Sequence, residues 1–256
     1  MTIVRTDKWL VDLYDKPLEI CERIKFSQSD VSIEEIYDYL IMNGMYRPVR
    51  GGEEVVKKLR DNNVWKTVYM EEKKLKKEWD GPTIPIYIFP SDSKNSQISN
   101  EYNGKSGLAF KDKLFLFLSN KNTDNEIKAL FTHEYNHICR LKKCKKKESD
   151  YTLGDTIILE GLAECAVKER FGEEYLAPYL RYYSETQLEE MWNTIIKRNA
   201  SIKKSSKEHN RFLYGQKLLP KMIGYCVGYH LVNKLMTEQR ASIKELLGFN
   251  TEEFIK

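Results

Sequence analysis

Histidine is scarce in this chain, four among 256 residues. Cysteine is scarce too: five, an odd number without paired spacing, which argues against a disulfide framework and for free thiols in a reducing compartment. No apolar run approaches the roughly 18–20 residues that cross a bilayer. The longest, such as Leu114 to Leu118, are strand-sized. The opening MTIVRTDKWLVDLYDKP carries Arg5, Asp7 and Lys8 and so lacks a secretory core. A cytoplasmic protein with no membrane association is expected. A large charge of one sign is missing as well, since 42 basic against 38 acidic residues leave only +4. The lysines at 57–77 and 142–147 are diluted by Glu71, Glu72, Glu78 and Glu148 and accompany no recognition motif. They read as solvated faces, and no nucleic-acid partner is expected.

What is present is a globular composition, 41% hydrophobic and 12% aromatic with 16 tyrosines, in a chain long enough to bury a sizeable core. Residues to about Gly81 read as helical, with a Ser32/Glu35 capping box opening IEEIYDYLIMNG and Asn43-Gly44 closing it. A second helical stretch runs from about Glu53 towards Trp79. PIYIFPSD (85–92) and SGLAFKDKLFLFLS (106–119) read as short strands, the latter a pair turning near Lys111-Asp112, with the polar SKNSQISNEYNGK between them as a loop. From Asn125 the pattern returns to helix, including one opened by Ser184 and Gln187 and one entered through Pro220. The fold class is α+β, mostly helical, with a small β-sheet before the histidine-bearing helix. A helical region at 1–82 would precede a domain at 83–256, unless the two are continuous.

Two of the four histidines fall in LFTHEYNHICRL (130–141), four residues apart. On a helix that spacing is about 400°, so His133 and His137 point nearly the same way and can reach one metal ion at about 2.0–2.1 Å. Glu134 lies beside the same ion, too far round to be an ideal ligand but able to touch its water. This is the HExxH arrangement of zinc hydrolases, with the glutamate as general base. The extended form with a third histidine would need Gly at 140 and His at 143, where the chain has Arg140 and Lys143. The other class takes a glutamate from a following helix, and DTIILEGLAECAVKERF supplies Glu160 and Glu164 one turn apart among Ile157, Ile158, Leu162 and Ala163. Acids in so apolar a helix are costly unless matched by a cation or by hydrogen-bond donors, and a metal would provide that match. Glu160 is the expected ligand and Glu164 the expected acceptor for a ligand histidine's other N–H. Gly161 and Ala163 would let this helix approach the histidine helix.

HEYNH followed after 22 residues by EGLAE resembles the YjaZ-like bacterial family of predicted zinc-dependent proteases, and more broadly the gluzincin metallopeptidases. RTDKWL (5–10) and GYCVGYHLV (224–232) are also similar, so the likeness spans most of the chain. The resemblance implies a zincin-like fold, one Zn2+ per chain on His133, His137 and Glu160, and Glu134 as base, but it does not imply a substrate; a peptide or protein substrate is what the metallopeptidase chemistry itself leads us to expect.

A tetrahedral oxyanion needs a further donor. Among Tyr225, Tyr229 and His230 on the helix after Pro220, where Gly224 and Gly228 permit close packing, Tyr229 and His230 are ranked first. KLFLFLS could offer a free edge to a peptide, or be an interior strand. Cys139, Cys144 and Cys165 read as buried or inert thiols, and His209 as an exposed residue near a helix start. A zinc-dependent metallopeptidase is the leading expectation. The alternative is a non-enzymatic zincin-fold protein for binding or regulation, which would have no need of Glu134.

Overall fold

In the computed structural model, which describes residues 2–24, 26 and 31–255, the chain is α+β and mostly helical. Two compact units divide it: residues 1–77 with 83–134, and residues 78–82 with 135–256. The first begins with α1 (Thr6–Leu13), α2 (Pro17–Glu22), α3 (Ile33–Met42), α4 (Glu53–Asp61) and α5 (Val64–Trp79). Helix α3 has the expected start, Ser32 Oγ accepting from the Glu35 amide and Glu35 returning the bond to the Ser32 amide. It stops at Gly44, whose φ of +118° suits glycine alone. The stretch from Glu53 to Trp79, read as continuous, is two helices. Asn63 takes a left-handed φ of 55° between them, a conformation asparagine tolerates, and so turns the chain.

Next come β1 (Ile86–Pro90), α6 (Ser96–Glu101), β2 (Lys105–Ala109) and β3 (Leu114–Leu118). The sheet order is β1-β3-β2, with β1 parallel and β2 antiparallel to β3. β1 and β3 are buried throughout, as their unbroken apolar runs require, while β2 is half-buried and forms an edge. The KLFLFLS strand is therefore the central one and has no free edge. The expected loop between β1 and β2 contains the short helix α6. Asn95 caps it by accepting from the Ile98 amide, and Ile98 is buried beneath it, a tertiary anchor that polar composition conceals.

Helix α7 (Asp124–Lys143) runs from the first unit into the second, which continues with α8 (Leu153–Phe171), α9 (Glu185–Met191), α10 (Lys207–Tyr214), α11 (Ile223–Gln239), α12 (Ile243–Leu246) and α13 (Thr251–Phe254). Capping boxes open α8 at Thr152/Asp155 and α9 at Ser184/Gln187. Helix α11 starts at Ile223, not at Pro220: Met222 adopts φ 58°, and the Pro220 carbonyl accepts from the Ile223 amide. α8 and α11 approach through glycines. A Cβ on Gly161 would stand 2.5 Å from the Gly228 carbonyl carbon, and one on Gly228 would stand 2.7 Å from that of Ile157. Gly161, expected to face the histidine helix, thus faces α11. Buried Arg140 donates to the carbonyls of Leu247 and Phe249, tying α7 to the chain's end. Among the described residues no helix is long and apolar enough to cross a membrane.

Candidate metal centre

Helix α7 is set by both its ends and its buried side. Thr123 and Glu126 bond reciprocally at its start, acids occupy the first turn, and Arg140, Lys142 and Lys143 occupy the last, each sign favourable to the helix dipole. Ile127, Phe131, Tyr135 and Ile138 bury the core side, and the Tyr135 hydroxyl donates to the Pro82 carbonyl at 2.8 Å. The helix is thereby fixed in rotation. His133 and His137 fall one turn apart on another face, His133 half-buried and His137 8% exposed.

Helix α8 brings Glu160 to them. Its Oε2 lies 3.6 Å from His137 Nε2, and one ligand atom from each of His133, His137 and Glu160 can be chosen so that all lie within 4.8 Å of one another. Two ligands on a tetrahedral ion with bonds of about 2.0–2.1 Å are about 3.3 Å apart, so the His137–Glu160 separation is close to what a shared ion requires. Two imidazoles and one carboxylate form a zinc-type donor set that leaves a fourth position open. The residues fit the metal that the sequence implies. Among the described residues this is the only group of three or more His, Cys, Asp or Glu side chains so arranged.

Glu134 is 8% exposed and rests against β2. A Cβ built on Gly107 would stand 2.5 Å from both Cδ and Oε1 of Glu134, closer than any real contact. The strand passes the carboxylate as bare backbone, and only glycine leaves that room. Sequence reading passed over Gly107, although a lone glycine within a strand pattern signals such an approach.

The remaining candidates are distributed as follows. Glu164 is buried and accepts the Ala177 amide at 3.2 Å. The Tyr229 ring lies 6.0 Å from Lys168 Nζ, and burial raises its phenol pKa. His230 Nε2 is 3.0 Å from Glu189, which also holds Lys234. It is Tyr225 that feels Glu160: burial first, and the Glu160 charge second, push its hydroxyl well above the usual range. Tyr225 is packed between the rings of Tyr179 and Tyr214, at 5.4 and 5.6 Å. The five cysteines are free. Burial pushes the Cys139 thiol up to about 12 and raises Cys144 and Cys165 as well, so none is poised as a thiolate. His209, expected at the surface, is 2% exposed, with Nε2 2.9 Å from Thr156 Oγ1. It shares the buried face of α10 with Leu213, and burial lowers its pKa.

With that geometry in hand, comparison with known proteins is specific. A family model described as predicted Zn-dependent protease (DUF2268) matches residues 64–256, a span that holds all of these side chains. The chain is 40% identical over 220 residues to the uncharacterized protein YjaZ of Bacillus subtilis (strain 168), covering 86% of this chain and 84% of that one. It is 24% identical over 230 residues to the uncharacterized protein YjfC of the same organism, covering 82% and 75%. No solved structure matches.

Proposed function

The chain belongs to the family of predicted Zn-dependent proteases, and from that premise we propose that it is a zinc-dependent metallopeptidase with Glu134 as general base. The observation that carries this reading is the convergence of His133, His137 and Glu160 with Glu134 on the next residue of the same helix. These three side chains would hold one zinc ion, which when bound supplies Lewis acidity and lowers the pKa of water to about 7.

The chain's own groups do the rest. Glu134 takes the proton of the water that attacks the scissile carbonyl carbon and delivers it to the amide nitrogen as the C–N bond breaks. The oxyanion needs a donor, and we assign it to the Tyr225 hydroxyl ahead of Tyr229 and His230. Tyr225 is the α11 side chain that feels Glu160, whereas His230 is bonded to Glu189. Glu164, which holds the Ala177 amide, is proposed to orient a ligand histidine. A peptide substrate is proposed to lie along β2, the edge strand whose Gly107 abuts Glu134.

The test is Glu134→Gln beside wild type, with zinc content and turnover of a peptide library read together. The variant is expected to keep the metal and lose hydrolysis. Undiminished hydrolysis removes Glu134 as the base. A wild-type protein that binds zinc and turns over nothing in the library favours a non-enzymatic binding protein on the same scaffold.

A further inference from the structure

Within the first unit, residues 2–7 and helices α4 and α5 border an open cavity of about 850 Å³, lined by no residue of the proposed metal centre. Arg60, Lys66, Lys73, Lys76 and Lys77 reach it. Arg5 lines it too but is engaged with Asp7, through bonds of 2.8 and 2.7 Å. Lys76 donates to Thr83 Oγ1, while Arg60, Lys66, Lys73 and Lys77 enter no ion pair among the described residues. Lys73, Lys76 and Lys77 are three and four apart on α5, where like charges repel.

The remaining acid is Glu72, 3% exposed, whose Oε1 accepts no hydrogen bond among the described residues. A buried acceptor left unmet favours a ligand that supplies a donor. Two aromatic rings complete the wall. Trp65 is held by its indole N–H on Thr6 Oγ1 at 2.9 Å, and Tyr69, 39% exposed, carries Lys73 Nζ 5.5 Å from its ring centre.

A merely solvated lysine face accounts for the exposed ammonium groups. It does not account for a concavity, a buried carboxylate with one oxygen unmet and a part-exposed tyrosine ring within the same wall. The volume lies in the range of about 300–1,000 Å³ typical of small-molecule sites, too small for a nucleic-acid duplex. The five cations less Glu72 leave four positive charges, comparable to the roughly four negative charges of a triphosphate near neutral pH.

We propose that this cavity binds a nucleoside polyphosphate. The phosphates lie against Arg60, Lys66, Lys73 and Lys77, the base stacks on Tyr69, and a base or ribose donor meets the Glu72 carboxylate. This goes beyond the metallopeptidase reading and does not depend on it.

The test is calorimetric titration of the full chain with ATP and GTP, and separately with tripolyphosphate, adenosine and a glutamate octapeptide, at one ionic strength. The His133→Ala chain serves as a control in which no phosphate reports on a bound metal. At least one nucleotide is expected to bind about tenfold or more tighter than tripolyphosphate or adenosine, a difference of about 1.4 kcal/mol. Lys66→Glu with Lys73→Glu should weaken it by at least the same factor. Tyr69→Ala should bring the nucleotide down to the tripolyphosphate level, and Lys145→Glu, just past the end of α7, should change nothing. Thermal unfolding of each variant checks that it is folded. The proposal is overturned by nucleotides that do not saturate the protein, by tripolyphosphate or the acidic peptide binding as tightly as the nucleotide, or by an equal loss in Lys145→Glu.

Discussion

Replacing Gly161 with alanine should perturb the proposed metal centre without touching any of its proposed ligands. The added Cβ would stand 2.5 Å from the Gly228 carbonyl carbon and 2.9 Å from Val232 Cγ2, and nearer still to the Gly228 oxygen. Main-chain atoms cannot rotate away as a side chain can. Ordinary contact begins at 3.4 Å, so α8 and α11 must separate by about 1 Å. Overpacking of this kind costs about 1–3 kcal/mol, partly offset by the ~1 kcal/mol by which alanine favours helix over glycine. A net loss of up to about 2 kcal/mol corresponds to a Tm lower by up to roughly 8 °C for a chain of this size. Glu160 is the adjacent residue and must move with its helix, whereas metal sites hold their ligand distances to about 0.2 Å. Zinc affinity should then fall about 10–100-fold, the range seen when the support around ligands is lost. Competition with a chelator measures the affinity, and thermal unfolding of zinc-free protein measures the stability. Gly248→Ala, whose Cβ would meet nothing nearer than 3.8 Å, is the matched control. If Gly161→Ala matches wild type in both measurements, the α8–α11 contact does not fix Glu160 and the packing account is wrong.

Gly107→Ala should displace the Glu134 carboxylate and lower kcat/KM by about 100-fold, as misplacement by ~1 Å does, with zinc content unchanged. Full turnover in that variant would mean that Glu134 works from some other position. Tyr225→Phe should reduce kcat by about 10²–10³ with little change in KM, the usual loss for an oxyanion donor. An unaffected kcat there, with a fall in His230→Ala, would move the donor role to His230. Asp155 is pushed up by burial but held below its usual range by hydrogen bonds from Lys146, Thr251 and Thr152, which outweigh it. A depressed carboxylate contributes stability above its unfolded pKa of about 3.9, and that contribution is lost as pH falls through the lower folded value. Asp155→Asn should therefore cost about 1–3 kcal/mol near neutral pH, a gap that closes below about pH 4 in urea unfolding. A gap of constant size down to pH 2 would contradict this.

Much of the architecture was legible because its signals are local. The helix starts at Ser32 and Ser184, the strand runs and the HEYNH helix each depend on residues within one turn or one pleat. The same holds for Glu160, an acid in an apolar helix that needs a partner. What was hidden depends on partners distant in sequence. The central place of β3 follows from pairing with β1 across the α6 segment, and no local pattern states strand order. Gly161 announces a close approach but not to which helix. His209 looks exposed among SSKEHNRF, yet its ring reaches Thr156 on another helix. Tyr225 and Tyr229, one turn apart on α11, are separated as candidates only by the charge of Glu160 on α8, which acts on Tyr225.

The most direct measurement is zinc per chain, by mass spectrometry under native conditions, in wild type and Glu160→Gln. Three protein ligands sharing one ion predict a single zinc in the first and a marked loss in the second. A wild-type chain that never takes up zinc, or a Glu160→Gln chain that holds it as tightly, would contradict the His133–His137–Glu160 centre.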